Sequence, residues 1–79
     1  MRLDKFLKVS RLIKRRTVAN AACDAGRVTI NGKIGKASTK VLPGDIIEIQ
    51  FGNKSVKVEV LRVMETSKKE ETKELYKYI

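Results

Sequence analysis

The stretch that decides the fold is VANAACDAGRVTING, residues 18–32, in which a helical pattern changes to a strand pattern. Its first eight residues contain only two polar side chains, four positions apart, and predict a helix. Gly26 follows the last apolar position, where a left-handed residue commonly ends a helix. Val28 and Ile30 then alternate with a polar residue and precede Asn31-Gly32, a pair typical of a tight hairpin turn. The stretch therefore predicts a helix followed by a β-hairpin.

Upstream of this stretch, apolar residues at helical spacing predict a first helix over residues 3–10. These residues are Leu3, Phe6 and Leu7. The second helix is expected over residues 18–25, with the hydroxyl of Thr17 as its N-terminal cap. Its exposed stripe is expected to contain Asn20 and Asp24, and its buried face Val18, Ala19, Ala22 and Ala25, with Cys23 at the border of that face as a small buried side chain.

Downstream of the hairpin, alternating apolar residues predict two longer strands. A turn at Pro43-Gly44 precedes the first, whose inward residues are Ile47, Ile49 and Phe51. Gly52-Asn53 joins it to the second, whose inward residues are Val56, Val58 and Val60. The alternation is lost at residues 61–63, which indicates a bulge or the end of the strand. We expect an α+β fold in which two N-terminal helices pack on a small, mostly antiparallel sheet.

The last residues show a different pattern. A capping-box spacing that begins at Ser67 predicts a short C-terminal helix. Its apolar side chains, Leu75, Tyr76 and Ile79, have no evident place in the core. We therefore expect a folded domain over residues 1–63 and a tail over residues 64–79.

Composition excludes several classes of protein. A chain of 79 residues forms one small domain, and its single cysteine cannot form an internal disulfide. Because the chain has no histidine, the usual zinc spacings and the commonest catalytic base are missing. No apolar run approaches the roughly 18 residues that span a bilayer, so no membrane insertion is expected. We expect a cytoplasmic protein with no catalytic site, no metal and no cofactor.

Charge is concentrated at one end of the sequence. Residues 1–45 contain 11 Lys and Arg and 3 Asp, a net charge of +8, whereas the remaining 34 residues contain 7 Lys and Arg and 6 Glu, a net charge of +1. A surface that binds a polyanion must concentrate cations, because they displace counterions from the phosphates. Nucleic acid is therefore the favoured partner, ahead of an anionic membrane surface and of a merely solvated basic face.

The candidate RNA-binding residues lie on the first helix, between the helices and around the hairpin. They are Arg2, Lys5, Arg11, Lys14, Arg15, Arg16, Lys33 and Lys36, with Thr17 as an additional donor at the start of the second helix. Phe6 and Phe51 occupy apolar-periodic positions and are expected in the core. Without an exposed aromatic platform, recognition by shape and phosphate contact is favoured over base stacking.

An ordered set of residues within positions 1–52 closely resembles the RNA-binding domain first described in ribosomal protein S-four. The matching residues are Arg2-Leu3-Asp4, Leu7, Arg16, Ala19, Gly26-Arg27-Val28, Ile30-Asn31-Gly32, Ser38, Gly44-Asp45 and Ile47. The resemblance implies two helices on a small sheet, with RNA bound by those helices and the adjoining turn. It also implies that Arg2 and Arg16 face RNA and that Asp4 orients them.

Among stand-alone members of this family, the chain resembles bacterial ribosome-quality-control factors more than the fifteen-kilodalton heat-shock protein, which has a longer basic extension. This likeness implies a non-enzymatic monomer on large ribosomal subunits that carry peptidyl-tRNA. There it would contact ribosomal RNA and tRNA and assist a tailing-factor protein that adds alanine to the nascent chain. Two alternatives are a general ribosomal-RNA-binding recycling factor of the heat-shock type, and a detached module that serves an RNA-modifying enzyme or binds a protein through its tail.

Overall fold

The computed structural model describes residues 1–65 and 69–79, and in this part of the chain two helices pack on a five-stranded sheet. The helices are α1 (Leu3–Val9) and α2 (Arg16–Asp24), and the strands are β1 (Val28–Ile30), β2 (Lys33–Ile34), β3 (Ile46–Phe51), β4 (Lys54–Val60) and β5 (Tyr76–Tyr78), with a 3-10 helix over Lys69–Glu74. The strands follow the order β2-β1-β3-β4-β5, and all neighbours are antiparallel. The predicted α+β architecture is confirmed.

The start of α1 is capped by backbone carbonyls of a later loop and not by a side chain. The N–H groups of its first two residues donate to the carbonyls of Thr39 and Ala37, at 2.8 and 3.2 Å. Arg2, which precedes the helix, forms an isolated antiparallel β-bridge with Lys40. Because helix N–H groups must find acceptors, these bonds hold the loop of residues 35–41 against the start of α1.

The second helix starts earlier than its apolar pattern indicates. Arg15 has an extended backbone, with φ −119° and ψ 135°, and helical geometry begins at Arg16 with no side-chain cap. The prediction that Thr17 caps this helix is wrong, because Thr17 lies inside the first turn. Both of its first residues are polar and precede the first apolar position, so periodicity alone misplaced the start.

The end of α2 confirms the prediction that the helix stops at Gly26. This residue has φ +74°, its N–H donates to the carbonyl of Cys23, and the N–H of Arg27 donates to the carbonyl of Ala22, both at 3.0 Å. The two bonds form a Schellman motif, which requires a left-handed residue that glycine adopts at little cost. The helix therefore ends where the chain must turn into β1.

The face of α2 that packs on α1 is narrower than expected. Ala19 and Cys23, four residues apart, are buried, and Ala22 is half-buried. Val18 and Ala25 are exposed, so their predicted burial is wrong. A single row of small side chains allows α1 to approach closely and leaves the flanking positions in solvent. Burial raises the pKa of the Cys23 thiol, in keeping with its expected role as a small core residue.

The turns that precede or connect the strands lie where the sequence predicts them. Asn31 and Gly32 have φ +52° and +82° and join β1 to β2, as a type I′ hairpin turn requires. The Pro43-Gly44 turn leads into β3. Strand β4 ends at Val60, where the alternation is lost. Local turn chemistry thus sets the register of β1 with β2.

The core lies between α1 and the inner face of the sheet. Its fully buried members include Leu3, Phe6, Leu7, Val28, Val41, Ile47, Val58 and Leu75. Phe51 is 43% exposed, so its predicted place in the core is wrong. It is the last residue of β3, and the pairing of β1 with β3 reaches only to Ile49. Its side chain therefore extends past the covered part of the sheet.

The C-terminal residues complete the sheet. Part of the predicted helix is present as the 3-10 helix, but Tyr76–Tyr78 form the edge strand β5, which pairs with backbone groups of β4 that would otherwise lie at the edge of the sheet. The expectation that Leu75 has no place in the core is wrong, since its side chain is fully buried. Tyr76 packs against the core as well. The predicted cap at Ser67 lies outside the described residues.

Replacing Leu75 with alanine should lower the free energy of unfolding by about 2–4 kcal/mol, because a fully buried leucine leaves a cavity. The measurement is urea unfolding followed by circular dichroism. Ile79→Ala is the matched control: Ile79 is 65% exposed, and its truncation should change stability by less than about 0.5 kcal/mol. Equal effects of the two substitutions would contradict the placement of Leu75 in the core.

Candidate nucleic-acid interface

The carboxylate of Asp4 lies between the two helices and is surrounded by hydrogen-bond donors. Asp4 is only 2% exposed. One carboxylate oxygen accepts from Arg2 Nε at 3.2 Å and from the Lys5 backbone N–H at 2.8 Å. The other accepts from Arg16 Nε at 3.3 Å and Asn20 Nδ2 at 3.4 Å. A single buried carboxylate therefore joins the start of α1 to one face of α2.

The ionised form of this carboxylate is favoured despite its burial. Burial by itself raises the pKa of Asp4, whereas the hydrogen bonds from Arg16 and Asn20, the charge of Arg16 and the Lys5 N–H lower it. The effects that lower the pKa together outweigh the effect of burial, so the pKa of Asp4 lies below its ordinary value. The carboxylate thus remains charged near neutral pH and keeps both arginines in place.

Arg2 and Arg16 use only part of their hydrogen-bonding capacity on Asp4. Each donates its Nε–H to the carboxylate, and each side chain is about half exposed. No hydrogen bond joins the terminal nitrogens of either guanidinium to another residue in the described part of the chain. The two cations are therefore held at fixed positions with outward-facing donors, an arrangement suited to phosphate oxygens.

A groove extends from Arg2 along the last turn of α2. It is open to solvent and has a volume of about 680 Å³. Its lining residues are Arg2, Asn20, Cys23, Asp24, Ala25, Gly26, Ile34, Lys36, Ala37 and Ser38. Lys36 stands on the loop that caps α1, so the structure brings this predicted cation to the same surface as Arg2. Lys33 lies on the exposed strand β2 and is not among the lining residues.

Three further candidate cations lie on the linker between the helices. Arg11, Lys14 and Arg15 are all exposed. The linker backbone is fixed by the N–H of Ile13, which donates to the carbonyl of Leu7 at 3.1 Å, and the side chain of Ile13 is buried. The exposed cations therefore project from an anchored segment.

Lys5 is engaged differently from the other candidates. Its ammonium group forms an ion pair with Glu65, in the segment that follows β4. The hydrogen bond from Lys5 and its charge lower the pKa of the exposed Glu65 carboxylate. Lys5 is thus partly neutralised within the chain, whereas Arg2 and Arg16 keep free donors. Thr17 is exposed, and no hydrogen bond from its side chain is found in residues 1–65 and 69–79.

Two residues of this surface were missed from the sequence. Asn20 was expected on an exposed stripe, but it donates to Asp4; its position four residues after Arg16 places both on the same helix face. Lys40 lies beside Arg2 through the β-bridge. Nothing local in the sequence signals this second pairing, because it joins residues 38 positions apart.

In the described residues, no helix is long and apolar enough to cross a membrane.

Comparison with known proteins identifies the class. The family model described as the S4 domain matches residues 1–47. The chain belongs to the S4 domain family, as the residues around Arg2, Asp4 and Arg16 indicated.

Within that family, particular relatives are similar over nearly the whole chain. The RQC P-site tRNA stabilizing factor of Halalkalibacterium halodurans is 59% identical over 76 residues, which is 96% of this chain and 86% of the relative. The factor of the same name from Bacillus subtilis is 57% identical, covering 96% and 88%. Among solved structures, the trimeric heat shock protein 15 of Vibrio cholerae matches with a TM-score of 0.92 and 28% identity, over all of this chain and 81% of that one.

Replacing Asp4 with asparagine should destabilise the protein at pH 7 by about 1–3 kcal/mol, because the donors around this buried position lose a charged acceptor. A carboxylate with a lowered folded-state pKa contributes stability above the unfolded pKa of about 3.9, and this contribution is lost as the pH falls through the folded pKa. The difference between wild type and variant should therefore shrink below about pH 4.

The measurement is urea unfolding between pH 3 and pH 7. Asp24→Asn serves as the control, because Asp24 is an exposed carboxylate on the same pair of helices. Its effect on stability should be small at every pH. A stability difference for Asp4→Asn that is constant over this range would show that the carboxylate is not the source of the effect.

Proposed function

We propose that this protein binds ribosomal RNA and tRNA on large ribosomal subunits that carry peptidyl-tRNA, and that it does so as a factor without catalytic activity. The observation that carries the proposal is the pair of guanidinium groups held by the Asp4 carboxylate with their outer donors exposed. Family membership and the names of relatives that are similar over nearly the whole chain support the same assignment.

The chemistry of the surface favours recognition of the RNA backbone. Arginine presents several N–H groups in one plane and pairs with phosphate oxygens through two parallel hydrogen bonds. Because Arg2 and Arg16 are oriented before binding, less side-chain entropy is lost when phosphates bind. Phe51 is exposed, but it lies at the end of β3 and not on the helices that carry these cations. Shape and phosphate contact therefore remain the preferred mode of recognition.

The proposal that the protein binds beside P-site tRNA depends on the names of its relatives. Two proteins that are 59% and 57% identical to this chain are described as stabilizing factors for P-site tRNA. We infer that the cations of the helices and of the 35–41 loop contact ribosomal RNA and the tRNA together. We propose further that the protein is a ribosome-associated monomer in quality control and that it assists a tailing factor in adding alanine to the nascent chain, as the sequence resemblance to ribosome-quality-control factors implies.

Replacing Arg2 or Arg16 with alanine should weaken binding to purified large subunits carrying P-site tRNA by about tenfold or more, since a charge-assisted hydrogen bond contributes about 1.5–3 kcal/mol. Cosedimentation at several salt concentrations is the measurement. The slope of log affinity against log salt should become shallower, because one cation fewer displaces counterions.

Lys54→Gln is the matched control, because Lys54 is an exposed cation at the start of β4, on the sheet. It removes one positive charge from the sheet and none from α1, α2 or the linker between them, and its binding should remain close to that of wild type. Thermal unfolding of each variant separates lost contacts from lost fold. Wild-type cosedimentation of both folded arginine variants would refute the proposed function.

A second candidate function is a factor that binds ribosomal RNA independently of tRNA. The fold match to the heat shock protein 15 of Vibrio cholerae favours this alternative. The two functions differ in whether binding of the protein and binding of P-site tRNA affect each other. A protein that stabilises P-site tRNA must bind more tightly when that tRNA is present, and the tRNA must gain affinity by the same factor.

We therefore expect the protein to bind large subunits carrying P-site tRNA at least about fivefold more tightly than empty subunits, and the tRNA to gain the same factor in affinity. Equilibrium titrations with labelled protein, and separately with labelled tRNA, measure the two sides of this cycle. Equal affinity for both kinds of subunit would favour the tRNA-independent factor.

A further inference from the structure

Arg11 occupies a backbone conformation that is unfavourable for its type. It has φ +64°, in the left-handed region, and lies in the linker between α1 and α2. Side chains with a Cβ atom are strained there, whereas glycine is not. The other non-glycine residue with positive φ in residues 1–65 and 69–79 is Asn31, a residue type that tolerates this region in turns. Arginine has no such tolerance.

The surrounding structure imposes this conformation. The Arg11 N–H donates to the carbonyl of Lys8 at 3.0 Å, continuing the end of α1. On one side, the buried hydroxyl of Ser10 donates to the Leu7 carbonyl at 3.2 Å. On the other, Ile13 is buried and its N–H donates to the same carbonyl. With Ser10 anchored on one side and Ile13 on the other, the chain turns through the left-handed region at Arg11.

The side chain of Arg11 has no structural task that offsets this strain. It is exposed, and its guanidinium forms no hydrogen bond or ion pair with the part of the chain that the structure describes. Glycine would support the same backbone bonds without strain. The fold alone therefore gives no reason for arginine at this position. Lys14 and Arg15, exposed on the same linker, make an anionic partner the natural explanation.

We propose that Arg11 contacts a phosphate of the bound RNA, and that its side chain is retained for this contact at the expense of stability. This inference rests on the proposed function and specifies a contact outside the Arg2, Asp4 and Arg16 cluster. The anchored backbone gives the guanidinium a defined starting point, so that the linker acts as a second fixed contact with RNA. Stability and binding should then respond to substitution in opposite directions.

The test is Arg11→Gly, with thermal unfolding and binding to large subunits carrying P-site tRNA measured on the same preparations. We expect the Tm to rise by about 2–5 °C, because strain is relieved in a domain of this size. We expect the Kd to increase at least about threefold and the salt slope to fall by about 0.7–0.9, the effect of one phosphate contact. Arg11→Lys should retain much of the binding without the gain in Tm.

Lys54→Gln again controls for the loss of one positive charge. If Arg11→Gly weakens binding no more than Lys54→Gln, the specific contact is refuted while the proposed function stands. A lower Tm for Arg11→Gly would refute the strain. If the wild-type protein does not bind these subunits at all, both the contact and the proposed function fail. A higher Tm together with weaker binding than in the Lys54 control supports the inference.

Discussion

The buried carboxylate of Asp4 is the interaction on which the helical part of the molecule depends. Burying a charge is costly unless donors surround it, and here the donors come from Arg2, Lys5, Arg16 and Asn20. This requirement fixes how α2 lies on α1. It also orients the two guanidinium groups whose outer faces form the candidate interface. Stability of the helix pair and the geometry of the binding surface therefore have a common origin.

The rest of the chain supplies packing that offsets the charge repulsion within the strongly basic N-terminal part. Residues 1–45 have a net charge of +8, and this self-repulsion opposes folding. A domain of this size has a thin core, so every buried apolar side chain counts. The nearly neutral C-terminal part supplies β4, β5 and the buried Leu75. The sheet thus provides the packing that allows cations to be concentrated on the helices.

What the sequence predicted correctly has local causes. The end of α2 at Gly26 and the hairpin at Asn31-Gly32 depend on the conformational range of single residues. Two of the failures have non-local causes. The burial of Leu75 depends on the pairing of β5 with β4, and the Arg2–Lys40 bridge joins distant segments. For the candidate site, the charge distribution indicated the helices and the linker between them, and the family resemblance indicated the role of Asp4. Neither of these indicated that Asn20 also donates a hydrogen bond to the Asp4 carboxylate.

Two kinds of cation on this surface have different physical consequences. Exposed lysines such as Lys14 and Lys36 are flexible point charges, which attract a polyanion at long range and release counterions but do not fix its position. Arg2 and Arg16 are anchored by Asp4, so they can define where a phosphate lies. A protein that holds an RNA in one orientation needs both properties, because attraction without fixed contacts gives affinity for any RNA. The buried carboxylate between two half-exposed arginines is the feature that gives this basic surface two cations at fixed positions.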